Sequence, residues 1–448
     1  MNTGTAEGSE TRGRLLRIFG LGFGLAVVIG GVVGSGIMRN PGVVASGFPD
    51  ARWLLLAWAL GGLYVMLDAM PTVELGAAIP LDGGPFSLAT RAVGPATGFL
   101  VGWADWLQNV ISTGFIAVAF GEYVHRLGLV TALGAGVVAI GLVVACGAIN
   151  WIGARSGGAS QHVGTALKGL GLVLLVAALL LVPHNGPQPA PPPPAFSWVA
   201  ALVAMRAIYG AYGGWQAAVY FSEEVEAPER NLARATFWGI ALVTGLYLLV
   251  NAAVLSVLPM GLLATSKLAA ADAAAIVLGG RGGIIVTILA IICVATLVNT
   301  QIMECVRCTF AMARKGVLPP GLAAVSPSGA PRPALALSIV AMAAIIALAG
   351  LIEGPLYEVL LDLYAPFIML VFLTLSLAAI RLRRREPDLP RPWKMPLYPL
   401  PALLSVLLNC LLLVAFLVSD WRAAIFSTLF LLAGAPLYRF GRGRWRPS

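Results

Sequence analysis

Residues Gly30-Gly31-Val32-Val33-Gly34-Ser35-Gly36-Ile37 decide how this chain folds. They lie inside an apolar run, Leu15 to Val44, and a bilayer crossing needs only about 20 such residues. Each glycine costs a helix about 1 kcal/mol against alanine, so this density argues against an uninterrupted coil. In hydrocarbon, unwound backbone is tolerated only where protein or a polar cavity satisfies it. Close helix packing through small residues would account for the same glycines, and this stretch alone does not separate the two readings.

A second stretch does. Tyr209-Gly210-Ala211-Tyr212-Gly213-Gly214-Trp215 is the other glycine-dense segment in mid-crossing, and it falls in the sixth apolar run. Five runs separate its start from that of the first, so the two run in opposite directions. Interrupted segments at matching places in two inverted halves point to a substrate site near the bilayer midplane.

The rest of the composition agrees. Of 448 residues, 59% are hydrophobic and 11% charged, where a soluble domain carries roughly a quarter charged. Twelve candidate crossings follow: Leu15 to Val44, Trp53 to Ile79, Pro95 to Val124, Val130 to Ala148, Gln161 to Val182, Phe196 to Phe221, Ala233 to Leu258, Gly283 to Met312, Pro333 to Ile352, Tyr357 to Ile380, Leu400 to Val418 and Trp421 to Tyr438. The runs are continuous rather than alternating, which excludes a strand barrel. The first, behind Arg12, Arg14 and Arg17, is too long for a secretory signal. The expected fold is an all-α polytopic membrane protein of twelve transmembrane helices. It has an inverted five-plus-five repeat with discontinuous helices one and six, and two further C-terminal helices. The divisions are a tail 1–14, a first repeat 15–182, a proline-rich loop 183–195, a second repeat 196–380, a basic loop 381–397, two helices in 398–438 and a basic tail 439–448.

Lys and Arg set the orientation. With the N-terminus inside, 21 of the 29 fall on the cytoplasmic side and six outside, Lys168 and Arg206 lying within apolar runs. That bias places both termini in the cytoplasm, and the expected setting is a bacterial inner membrane. The basic residues lie between apolar runs rather than along a polar face, which argues against nucleic acid. Cys146, Cys293, Cys305, Cys308 and Cys410 all lie in apolar stretches, so neither a disulfide framework nor a metal site is expected.

Broken helices constrain their ligand. A half-helix N-terminus offers free N–H groups and partial positive charge, and a C-terminus offers carbonyls. Gly34, Ser35 and Gly36 would meet a carboxylate, while the carbonyls of Val32 and of Tyr209, Gly210 and Ala211 would meet an ammonium. A zwitterion fits both ends.

At these residues the sequence resembles the amino acid-polyamine-organocation superfamily, in its L-type amino acid transporter branch. Further matches are Pro41, Glu74-Leu75-Gly76 with Gly83-Gly84, Glu223-Glu224, Pro228-Glu229-Arg230-Asn231-Leu232, Arg314-Lys315-Gly316-Val317-Leu318-Pro319 and Pro387-Asp388-Leu389-Pro390-Arg391-Pro392-Trp393-Lys394. The resemblance implies alternating access, amino acid transport without cofactor, and substrate held at the positions of Val32, Gly34 to Gly36 and Tyr209 to Gly213. The family's bulky aromatic gate is here Gly210, so Tyr209 or Tyr212 takes over the lid or the pocket is more open.

Charges inside the membrane carry further expectations. Lys168 either snorkels or places its ammonium against the unwound part of helix one, where sodium-coupled relatives hold a cation. The match to the family's helix-five lysine favours the second view and implies sodium-independent transport, by exchange or by proton symport. Asn299 is expected to meet Lys168. Arg206 should face the outer vestibule, either attracting a polar substrate or paired with Asp105 or Asp362. Glu74 reads as a structural cap, Glu304 as a local partner of Arg307, and Glu223 to Arg234 as a cytoplasmic charge network.

Other classes fare worse. An integral-membrane enzyme would need a catalytic constellation, yet His125, His162 and His184 are ungrouped. A polyamine antiporter would leave the helix-one donors without an anion. No cysteine lies between helices three and four to tether a partner subunit, so an amino acid substrate and the lipid bilayer are the expected partners.

Overall fold

The structure, a computed structural model, describes residues 20–79, 81, 83–183, 190–221, 226–419 and 421–444. Within them the regular structure is helical. Crossing one is Leu21–Val32 and Ser35–Ala45, bent by 42° between the pieces. Crossings two to five are Ala51–Ala78, Pro95–Arg126, Ala135–Ile152 and Ala154–Leu181. Crossing six is Trp198–Tyr212 followed, after a four-residue interruption, by Ala217–Tyr220. Crossings seven to eleven are Pro228–Val257, Gly280–Arg314, Arg332–Ala349, Leu356–Arg385 and Leu400–Ser419. Crossing twelve is Trp421–Leu432, continued by Gly434–Arg444. The chain is an all-α polytopic membrane protein.

Crossings five and seven begin at Ala154 and Pro228, earlier than the apolar runs beginning at Gln161 and Ala233. Hydropathy detects only the lipid-facing part of a helix, and Pro228 is well placed to open one because a first-turn residue needs no N–H partner. Two helices of nine or more residues escape the apolar runs altogether. Gly84–Ala92 follows Gly83, whose φ of 94° starts it sharply, and it packs its face against crossing three. Ala269–Leu278 is built largely of alanine, the best helix former, and buries Ala269 to Ala271 and Ala273 to Ala274 beside crossing eight.

Crossings one and six are antiparallel and touch along their length. Asn40 Nδ2 donates to the Ala207 carbonyl at 2.7 Å. A Cβ on Gly36 would stand 2.6 Å from Ala211 Cα, and one on Gly47 2.6 Å from the Ala200 carbonyl oxygen. At the breaks the backbones meet directly: a Cβ on Gly214 would lie 2.1 Å from the Gly31 oxygen, and Gly214 has φ 100°. Both the packing and the interruption readings of these glycines therefore hold, at different residues. Crossings two, five, seven and eight pack around this pair.

Charges close each face of the bundle. On one, buried Glu74 accepts from Arg383 Nε at 2.7 Å, Arg383 Nη2 at 2.5 Å and the Met395 N–H at 2.7 Å. Glu74 thus clasps crossing two to crossing ten and the following basic loop, rather than capping its own helix. Beside it Arg91 grips Glu386 at 2.6 and 2.7 Å, holding that exposed carboxyl below its ordinary pKa. The opposite face carries Arg39–Glu122 at 2.7 Å and Arg126–Asp272 at 2.6 Å. The network expected over Glu223 to Arg234 falls partly on residues 222–225, outside the described residues.

Candidate functional site

The break in crossing one comes where the helix runs out of partners. Val33 N–H still bonds the Ile29 carbonyl at 2.9 Å, then Val33 turns extended and Gly34 takes φ −147°, ψ −139°. Ser35 and Gly36 open the second piece, so their N–H groups are among the first-turn donors with no carbonyl behind them. The carbonyls at the end of the first piece are taken up from within the protein. Lys168 Nζ donates to the Gly30 and Val33 oxygens, both at 2.7 Å. Tyr247 Oη reaches the Val32 oxygen at 2.9 Å and the Ala211 oxygen at 3.0 Å.

Crossing six stays helical through Tyr212 and is interrupted at 213–216, past the centre of its glycine-rich stretch. Tyr209, Gly210 and Ala211 therefore belong to its last full turn, where carbonyls lose intrahelical partners. Gly213 N–H folds back to the Gly210 oxygen at 3.2 Å.

Between these ends lies a cavity of about 340 Å3. Its wall includes Val32, Ser35, Gly36, Tyr209, Gly210, Ala211 and Gly213, joined by Ser112, Leu297, Gln301 and Tyr364. It extends past Arg39, Arg206 and Glu358, and so toward the Arg39–Glu122 face. That volume lies within the range of sites for small organic ligands, with a mixed apolar and polar wall typical of them.

The sequence pattern of the amino acid permease family matches residues 24–434. The chain belongs to the amino acid permease family. The permease is 29% identical over 436 residues to the serine/threonine exchanger SteT of Bacillus subtilis (strain 168), an alignment that covers 95% of this chain and 96% of the relative. It is 29% identical to the human large neutral amino acids transporter small subunit 2, covering 95% of the chain and 81% of the relative. With the human Asc-type amino acid transporter 1 the identity is 28%, covering 98% and 84%. The family and these relatives are transporters.

Three expected residues sit elsewhere in the permease. Gly34 is not part of the cavity wall, with Leu297 Cδ2 only 2.2 Å from where its Cβ would be. Tyr212 does not line the cavity: fully buried, it donates to the Trp58 carbonyl at 3.0 Å and packs on Trp58 and Tyr247. Asn299 does not reach Lys168. Crossings five and eight are antiparallel, with Asn299 opposite Gln161 at 3.4 Å, Thr296 against Gly164 and Leu289 against Gly171. Lys168 is therefore level with Cys293, about two helical turns from Asn299, which instead accepts from Asn150 Nδ2 at 2.7 Å. Arg206 faces the vestibule in an ion pair with Asp362, not Asp105.

No hydrogen bond or ion pair closes between Glu304 and Arg307, although the arginine's charge acts on the carboxyl: both Glu304 oxygens are buried without a hydrogen bond, while Arg307 lies 4.1 Å over the Phe221 ring. Cys305 and Cys308 turn to different neighbours, Ser338 and the Gly102 carbonyl. Among the described residues no aromatic covers Gly210, whose Cβ position has nothing within 4 Å, while Tyr209 leans on Tyr64 with ring centres 5.3 Å apart. Sequence reasoning missed Tyr247, Ser112 and Gln301. Their only trace was a hydrogen-bonding side chain within an apolar run, a pattern shared by residues such as Asn251 and Ser376 that lie outside the cavity wall.

Proposed function

We propose that this permease carries neutral, zwitterionic amino acids across a bacterial inner membrane by alternating access between two five-crossing halves, without sodium. One observation carries the reading: a single cavity has the N–H end of crossing one's second piece and the carbonyl end of crossing six's first piece in its wall. Ser35 and Gly36 would take the carboxylate and the carbonyls of Tyr209 and Gly210 the ammonium, by the charge complementarity of helix ends. The Val32 and Ala211 carbonyls share Tyr247's proton and would play a lesser part.

Lys168 supports independence from sodium. Its ammonium bonds two carbonyls freed by the break, and a fixed cation there leaves no need for a metal ion. With the Lys- and Arg-rich face inside, the cavity opens outward and both termini are cytoplasmic. The names of the relatives range from a serine/threonine exchanger to a transporter of large neutral amino acids, and the uncovered wall at Gly210 suits a range of side-chain sizes. A polyamine remains the weaker candidate because it has no carboxylate for Ser35 and Gly36. Repulsion by Arg206 adds little to that argument once Asp362 balances its charge.

Purified protein in liposomes, loaded with unlabelled amino acid and offered labelled serine, leucine or putrescine in sodium-free buffer, tests the reading. Uptake of the amino acids but not of putrescine is expected, with no partner protein added. Uptake that requires sodium, or that favours putrescine, would overturn it.

A further inference from the structure

Beneath the cavity floor, crossings three and eight enclose a second polar site that substrate binding does not use. The two helices are antiparallel: Gln301 Nε2 donates to Ser112 Oγ at 2.7 Å, and two turns further Cys308 meets the Gly102 carbonyl at 3.5 Å. That register puts Glu304 level with Gln108 and Asn109, one turn from Asp105. All four side chains are fully buried. Asp105 Oδ1 accepts from Tyr220 Oη at 2.5 Å and from Gln108 Nε2 at 3.2 Å. Asp105 Oδ2, both oxygens of Glu304, Gln108 Oε1, Asn109 Oδ1 and Gln301 Oε1 have no donor.

The cluster offers several buried oxygens without a donor to a proton, and Arg307 on the same helix supplies positive charge toward Glu304. Two neighbouring carboxylates in a dry interior repel each other and forfeit their hydration. The other titratable groups facing Glu304 are Tyr220 from crossing six and Tyr364 from crossing ten, with Arg307, Cys305 and Cys308 on its own helix. Lys168 is level with Cys293, three turns away along crossing eight. Gln301, Ser112 and Tyr364 line the cavity, so the site lies directly behind the wall that substrate would touch.

We propose that Glu304, next to Asp105, is a proton-carrying site of this permease, taking a proton from one side of the membrane and releasing it to the other in each transport cycle. The carboxylate gains the proton as –COOH while the site is reached from the cavity, and returns it to water when the opposite side opens. The proposal rests on the amino acid transport reading and names its coupled ion.

The test is net uptake of labelled serine into liposomes holding no amino acid, with and without an acidic exterior, expressed as the ratio of the two rates. Rates within one variant cancel any general loss of activity. A ratio of about 3 or more is expected for the unaltered protein under a gradient of about one pH unit, since tenfold in proton activity is about 1.4 kcal/mol of drive. The ratio should fall to about 1 in Glu304→Gln. A ratio of 1 in the unaltered protein while serine exchange proceeds would overturn the proton site and leave transport standing, whereas absence of all amino acid flux would overturn transport itself. Stimulation by sodium instead of acid would also overturn the proposal, giving the oxygens to a metal cation. Should Glu304→Gln not fold, infrared difference spectra of the unaltered protein between pH 5 and 8 decide. A carboxylic acid band that comes and goes in the unaltered protein and shifts in Glu304→Asp supports the site, and no band, or one that Glu304→Asp leaves unmoved, overturns it.

Discussion

The hydroxyl of Tyr247 stands 2.9 Å from the Val32 carbonyl and 3.0 Å from that of Ala211, bridging the interrupted helices one and six. It has one proton to donate, so the two carbonyls share it. Any movement of one helix against the other shifts that proton toward a single partner, which makes the bridge a sensor of their separation.

Tyr247→Phe keeps the ring packed between Trp58 and Tyr212 and removes only the bridge. Leaving a buried carbonyl without its donor costs about 1–3 kcal/mol, so the melting temperature in detergent should fall by several degrees. Transport should fall by about tenfold, the equivalent of about 1.4 kcal/mol, and labelled uptake measures it. Unchanged uptake would show that the bridge plays no part in the cycle.

Lys168→Ala strips the donor from the Gly30 and Val33 carbonyls at the break. Uptake should drop by at least about tenfold, and Lys168→Arg should not restore it, because a planar fork cannot replace a compact ammonium between two converging carbonyls. Wild-type rates in the alanine variant would remove the role assigned to this lysine.

Gly210→Phe places a ring over a wall with open space and no left-handed backbone to strain. Folding should be unaffected. The narrowed cavity should lower the leucine-to-serine uptake ratio by about tenfold, at the scale of a few methylenes of lost fit. An unchanged ratio would place the side chain of the substrate elsewhere.

Arg206 and Asp362 form one partly buried pair, so neither offers an unbalanced charge to a passing solute. Arg206→Ala should slow uptake of acidic and neutral amino acids alike. Asp362→Ala should cost about as much, and the double variant less than the sum of the two, the mark of a direct interaction. A change in the acidic-to-neutral ratio on Arg206→Ala would instead make the arginine a selectivity group.

Arg91 lowers the pKa of Glu386 from the ordinary 4.5, so the clasp contributes above that value and is lost as the pH falls through the lowered one. The pair is at the surface and its effect on stability is small. Thermal melts should separate Glu386→Gln from the unaltered protein slightly at neutral pH, and the gap should close as the pH falls through the lowered pKa, below which both carry an uncharged group. A gap that persists in acid would mean that Glu386 acts by packing.

Part of this was legible without coordinates because the bilayer imposes it. Hydrocarbon admits only segments that satisfy their own backbone, so apolar runs had to be helices, and glycine density at Gly30 to Gly36 and Tyr209 to Trp215 had to mark where helices fail or touch. The opposed direction of those two segments followed from counting the runs between them. The placement of Lys168 was harder to read: the residue type announced a charge that needs partners, and the partners proved to be the carbonyls freed one break away.

What composition could not supply was register between helices distant in sequence. Asn299 and Lys168 lie on neighbouring crossings, but antiparallel packing puts two turns between them, and no local pattern encodes that offset. Tyr212 and Tyr209 stand three positions apart on one helix, yet packing sends the first into the Trp58 cluster and the second to the cavity. The meeting of Glu304 with Asp105, Gln108 and Asn109 likewise exists only because crossings three and eight align at Ser112 and Gln301. Solvent chose which residues form helices; side-chain interlocking between those helices chose which of their polar groups would face one another.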